Sequence, residues 1–557
     1  MGGGIASDLG ARGEEALANG DWHTAADAFE QALATDDAPE IHDGLGRALW
    51  WLRDVDRSLA EREAAYAAFR KRGDDARAVH IALWLAREYL EAVGNEPVSR
   101  GWLARAEGIV RDLPDGPEHG WLALTRGRLA LDPASALDDA STAVAAGKVA
   151  RDPDLEATGL ALRGLAEIAR GRVEAGMTTL DEAMVAATSG EVEDAVVFGD
   201  VCCLVTRAAE EAGDVSRLDR WNEVVMTFMQ RTGHPPLLEF CGTCCAEVLL
   251  ANGQLDEAEG WLTRTLAELE GRGHRARCIH PAAKLAELRL LQGRLEEAER
   301  LLEGFEDRPD ALRATAAVHL ARGDTAVAAA LLHRRLAQVG DGLLAVPLLS
   351  LLIDVQLAQG DPSAATSTAQ RIRGLADRSG WPRTAALADL AAGRTADAHE
   401  ARDALGSAID AYDRLRMPLE AARARLALAD LLRQREPSVA LHEARLAFEV
   451  CDAAAATALA DRAAALVRDL GGPARTGPKM IGLLTKRERE VLALLGEGIT
   501  NAEIAARLFI STKTAEHHVG NVLGKLHLRG RAEAAAFAQR HAADLAQPDP
   551  EPEPGRR

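Results

Sequence analysis

The residue types that could do chemistry gather in one short stretch near the C-terminal end: Thr512, Lys513, Thr514, Glu516, His517, Gly520, Asn521 and Lys525. At helical spacing Ala515, Val519, Val522, Leu523 and Leu526 take one apolar face, which leaves Thr512, Lys513, Glu516, His517, Gly520 and Asn521 outward. Such a face suits nucleic acid. Lys513 and Lys525 can neutralise phosphates, and Thr514 can bond one. Gly520 lets a helix backbone come close to a groove. Glu516 either accepts from a cytosine amine or is simply solvated. For His517 and Asn521 a contact to backbone or water stays open beside a base contact, and His518 reads as packed or phosphate-facing.

A helix reads bases only if its neighbours hold it at a fixed angle, and the flanking sequence supplies those neighbours. Thr485 with Glu488, and Thr500 with Glu503, have the spacing of capping boxes, each opening a helix. Val491, Leu492 and Leu495 give the first helix its buried side, and Gly496 and Gly498 end it. Ile504, Ala505 and Leu508 line the second. Phe509 and Ile510 make a tight turn, and Ser511 caps a third helix that runs to about Leu526. His527 to Gly530 break the pattern before a fourth helix from Arg531. Two helices joined by a short turn form a helix-turn-helix, whose second helix enters the major groove with its N-terminal residues at base edges.

The segment from Leu484 to His541 resembles the DNA-binding domain of LuxR-type transcriptional regulators. The resemblance is carried by Leu484 to Leu492, Gly496, Gly498, Asn501 to Ala505, Leu508, Ile510, Ser511, Lys513, Thr514, His518, Lys525 and Leu526. It implies a four-helix domain that forms a homodimer on DNA through its last helix. It also implies double-stranded promoter DNA and RNA polymerase as partners. The chain departs from the family pattern at Ala515, where Val is usual, and at Glu516 and Gly520, where a cation is common. The departures at Glu516 and Gly520 fall on the face expected to meet the bases.

The rest of the chain is long, helical in composition and acidic. Hydrophobic residues make up 47% of the 557 residues and aromatics only 4%, with Ala dominant, a balance that favours helix throughout. Residues 480 to 541 hold nine Lys and Arg against six Asp and Glu, so a formal net charge of -21 leaves -24 for the remainder. An acidic body is repelled by DNA, so the C-terminal end is the expected nucleic-acid contact. A phrase of Gly, a polar residue, an apolar residue and later Ala recurs from Gly20, Gly171, Gly213, Gly253, Gly293, Gly323 and Gly360, with a copy lacking its Gly near Asp54. The later intervals of 42, 40, 40, 30 and 37 residues predict stacked helix pairs. The pattern is similar to tetratricopeptide repeats, though with a longer unit.

The expected architecture is therefore all-α: a tetratricopeptide-like helical-repeat solenoid over 10–470, a Gly/Pro-rich linker over 471–479, and a four-helix LuxR-type helix-turn-helix domain over 480–545. Residues 1–9 and the Pro- and acid-rich 546–557 are expected to be disordered. No phosphate loop is present, since Gly147-Lys148-Val149 lacks the required Gly and hydroxyl. The large maltose-regulator-like members of the resembled family carry an ATPase that this chain lacks. His399-Glu400 and His442-Glu443 lack the second His of a zinc protease. Cys202, Cys203, Cys241, Cys244, Cys245 and Cys278 lie in apolar phrases and read as core, ahead of a thiol sensor or a metal site. Trp22, Trp50, Trp51 and Trp84 read as packing rather than groove lining. No catalytic site, cofactor or metal is expected. The reading is a cytoplasmic, nucleoid-associated DNA-binding regulator without membrane attachment. Its repeats bind a partner protein or small effector. The alternative is a repeat scaffold with DNA binding secondary.

Overall fold

The computed structural model describes residues 2–540 except 131, 193, 213, 215, 216, 218, 222, 226, 228–242, 244, 245, 271–275, 473–483, 485, 509, 527 and 529. Every regular element among them is an α-helix. The chain divides into two compact units, Met1–Leu466 and Val467–Arg557. The expected linker falls outside the described residues from 473 onward, as does the expected C-terminal tail. The expected disordered start differs: a helix runs Gly2–Ala18. Leu9 packs against the core formed by Phe29, Leu45 and Leu49, and a helix nucleated there extends N-terminally at little further cost.

In the first unit the recurring Gly phrase is one backbone device. Gly20 (φ 74°), Gly171 (φ 85°) and Gly360 (φ 74°) take the left-handed conformation that closes a helix. The next residue's amide then bonds the carbonyl five residues back: Asp21 to Ala16, Arg172 to Glu167, Asp361 to Gln356. At two of these turns the next residue is acidic and its side chain caps the following helix: Asp21 accepts from the Thr24 amide at 3.1 Å and Asp361 from that of Ala364 at 2.9 Å. The chain thus reverses, and each helix packs on the next in sequence. Many also touch the next but one, as Asp75–Glu91 touches Pro117–Leu129. Ala at the contact faces permits close approach: Ala82, Ala106, Ala143, Ala161 and Ala183 are fully buried.

The unit also packs against itself at long range, which stacking of neighbours alone does not require. Arg277 Nη2 donates to both carboxylate oxygens of Glu88, at 3.0 and 3.1 Å, across 189 residues of sequence. Trp381 Nε1 donates to the Ala212 carbonyl across 169 residues, and Gly342 lies against the Ala169 carbonyl with no room for a side chain. Around Glu88, Asp200 pairs with both Arg87 and Arg128, and Arg128 with Glu91. The tryptophans pack: Trp22 stacks on Trp51 at 4.5 Å, and the Arg62 guanidinium lies 4.3 Å from the Trp84 ring centre. Cys202, Cys278 and Cys451 are buried. Burial pushes the thiol of Cys203 up to about 12 and those of Cys278 and Cys451 up to about 11, so none is a thiolate near neutrality. Cys241, Cys244 and Cys245 lie outside the described residues. No helix among the described residues is long and apolar enough to cross a membrane.

Candidate nucleic-acid interface

The second unit holds α1 (Lys486–Gly496), α2 (Asn501–Leu508), α3 (Thr512–Lys525) and α4 (Arg531–Arg540). Their core joins Val491, Leu492 and Leu495 from α1 to Ile504 and Ala505 from α2. Ala515, Val519 and Val522 of α3 and Phe537 and Ala538 of α4 complete it. Those from α1, α2 and α3 are positions that the periodicity assigned to the interior; Phe537 and Ala538 were not among them, and Leu508 and Leu523 are only partly buried.

Capping chemistry sets the ends. Thr500 and Glu503 form the expected reciprocal box: the Thr500 amide donates to Glu503 Oε2 at 2.6 Å, and the Glu503 amide to Thr500 Oγ1 at 3.3 Å. The Thr500 hydroxyl, which donates to Glu503 Oε2 at 2.7 Å, and then the Thr500 amide hold the Glu503 carboxyl below its ordinary range. Ser511, in extended backbone, caps α3 by accepting from the Thr514 amide at 3.0 Å. Thr485, the expected opening cap of α1, lies outside the described residues. The two glycines at the end of α1 have separate reasons. Gly498 takes a left-handed conformation (φ 79°), whereas Gly496 does not and is small because Ala538 of α4 would sit 2.8 Å from its Cβ.

The α3 side chains fall out as follows. Thr512, Lys513, Thr514, Glu516, His517 and Gly520 are exposed, and Asn521 is half-buried. A Cβ at Gly520 would meet nothing within 4 Å, so that side of the helix is open. The Thr514 hydroxyl lies 2.7 Å from that of Ser511 and belongs to the cap. His518 is half-buried, its ring 6.4 Å from that of His517. Lys525 is engaged within the domain: its Nζ donates to Glu488 Oε2 at 2.8 Å, and that carboxylate is only 4% exposed.

Two further residues position α3 and carry no role in the sequence reading. Arg487 donates to the Leu508 carbonyl at the end of α2 and to Glu490 Oε2 at 2.7 Å, fixing the turn that leads into α3. Arg531 at the start of α4 donates to Asn501 Oδ1 at 2.6 Å. Pairs separated by 21 and 30 residues leave no periodic trace in a single sequence. The available signal was only that Arg487 and Glu488 interrupt the start of an otherwise apolar-periodic helix.

A short second helix, a tight turn and a third helix with one exposed polar face define a helix-turn-helix protein. Comparison with known proteins then places it. The family model for bacterial regulatory proteins of the luxR family matches residues 482–538. The spore germination protein GerE of Bacillus subtilis is 54% identical over 52 residues, which are 9% of this chain and 70% of GerE. This chain belongs to the luxR family. The DNA-binding transcriptional activator DevR/DosR of Mycobacterium tuberculosis is 43% identical over 95 residues, 17% of this chain and 43% of its own. The transcriptional regulatory protein LiaR of Bacillus subtilis is 50% identical over 58 residues, 10% of this chain and 28% of its own. The chain thus spans less than half the length of these last two relatives. Among solved structures, the APC/C hetero-tetramer Cut9-Hcn1 overlaps 82% of this chain and 96% of its own, at 15% identity and a TM-score of 0.43.

Proposed function

We propose that this protein is a DNA-binding transcriptional regulator, with α3 entering the major groove of promoter DNA in a homodimer. Lys513 contacts phosphate, and Thr512, Glu516, His517 and Asn521 face base edges. Gly520 admits the close approach, and Thr514 and Lys525 serve to set the helix. The observation that carries the reading is the division of α3 into a buried apolar face and an exposed polar one on a luxR-family domain. The acidic repeat unit binds a partner protein or a small effector and through it governs promoter occupancy and RNA polymerase recruitment, in the cytoplasm on the nucleoid. The first unit's array of helix pairs offers an extended surface for such a partner.

The test is selection of duplexes from a randomised pool by the full-length protein, followed by sequencing of the retained fragments. A shared motif is expected. Lys513→Ala, His517→Ala and Asn521→Ala together are expected to abolish its enrichment, and enrichment unchanged by the triple substitution would remove α3 from the interface.

A further inference from the structure

We infer that Glu516 is the specificity-determining residue of the reading helix, selecting a C·G base pair by accepting a hydrogen bond from the cytosine amine in the major groove. This rests on α3 being the helix that enters the groove.

The charges on α3 carry the argument. Lys525 is held by Glu488, so the exposed side of α3 presents Lys513 as its cation and Glu516, three residues on, as its anion. Their charges cancel, and the face gains little from the phosphates as a whole. Glu516 is exposed and has no hydrogen-bond or ion-pair partner among the described residues. Lys513 does not come within ion-pair distance of it, and Lys525, paired with the buried Glu488, is at the other end of the helix. An uncompensated carboxylate brought into a groove walled by phosphates is repelled and loses water. That cost is offset only by a donor placed to meet it. Glu516 lies in the first half of α3, the half that reaches base edges. The major groove offers two exocyclic amines. The adenine amine is flanked by acceptors on both sides, its own N7 and the thymine O4, whose lone pairs repel a carboxylate, while the cytosine amine has guanine O6 on one side only and its own C5–H on the other. Cytosine is the base that a carboxylate at this position tolerates best.

The consequence is a pair of effects of opposite sign. Removing the carboxylate relieves repulsion from every duplex and at the same time deletes the discrimination at one position. A phosphate-contacting residue, or a solvated bystander, does not produce that combination.

The experiment uses the full-length protein and its Glu516→Ala and Glu516→Gln variants, each taken through selection from a randomised duplex pool. Titration against the selected duplex and an unselected one follows. Circular dichroism confirms that both exposed-site variants remain folded. The wild-type motif is expected to contain an invariant C·G pair. Glu516→Ala is expected to lose preference at that pair alone by about tenfold, while binding unselected duplex roughly threefold more tightly. Glu516→Gln is expected to move the preference toward adenine, which a carboxamide meets with two bonds. A motif and discrimination unchanged in Glu516→Ala would overturn the assignment while leaving α3 as the reading helix. Failure of the wild-type protein to enrich any motif would sink both this assignment and the proposed function beneath it.

Discussion

Arg53, Arg151, Arg416 and Ala455 occupy backbone positions that glycine usually fills, with φ of 67°, 55°, 56° and 57°. Each closes a helix as Gly20 does: the Asp54, Asp152, Met417 and Ala456 amides bond the carbonyls of Leu49, Gly147, Tyr412 and Cys451. A search keyed on Gly therefore finds the turns at 20, 171, 293 and 360, recovers the one near 54 only from its Asp, and passes over those at 151, 416 and 455. The turn was legible wherever its residue type matched its backbone, and illegible where tertiary packing forces an ordinary residue into the same conformation. Such forcing costs about 1 kcal/mol. Ala455→Gly is accordingly expected to raise stability by about 0.5 kcal/mol after the added chain entropy of Gly. Gly360→Ala, where a Cβ meets nothing within 4 Å, is expected to lower stability by about 1 kcal/mol through backbone strain alone. Urea unfolding midpoints moving in the same direction for the two variants would contradict this account.

At the scale of elements, α1 acts as the clamp of the C-terminal unit. Its consecutive residues Arg487 and Glu488 hold opposite ends of the following structure, one at the Leu508 carbonyl before α3 and the other at Lys525 in its last turn. The caps at Thr500 and Ser511 and the core positions of the first three helices could be read locally, because capping boxes and apolar periodicity act within a few residues; the core positions of α4, Phe537 and Ala538, were not read. Lys525 could not. A lysine on a basic helix has the sequence signature of a phosphate contact, and only the fold brings a buried carboxylate from 37 residues away to meet it. The two roles separate in experiment. Lys525→Met takes the Lys525 ammonium from the buried Glu488 carboxylate and is expected to destabilise the C-terminal unit by about 2 kcal/mol. The slope of DNA affinity against salt concentration, measured below the melting range, is expected to stay nearly constant. A slope reduced by about one with stability intact would return Lys525 to the phosphate backbone.

Across the repeat unit, the period announced helix pairs but could not announce that the array packs back on itself. The contacts that do this are single residues: Glu88 with Arg277, Trp381 with Ala212, Gly342 against Ala169. Each is separated from its partner by well over a hundred residues, and nothing local distinguishes Arg277 from the many surface arginines. The buried charges at this junction make its stability depend on pH, and Asp200 gives the sign. Burial alone would raise its pKa, but Arg128 and Arg87 beside it outweigh burial and hold its carboxyl below the ordinary range. A carboxyl whose folded pKa is depressed contributes stability that is complete above its unfolded value of 3.8 and is lost as pH falls through the folded value. Asp200→Asn leaves Arg87 and Arg128, both largely buried, without their shared counter-charge. The variant is therefore expected to melt well below the wild-type protein at pH 7, with the gap holding down to about pH 4 and closing in more acid solution. Melting temperatures measured from pH 7 to pH 3 decide the matter: a gap that widens as pH falls would mean that Asp200 is protonated at neutrality and that the junction is held by something other than its charge.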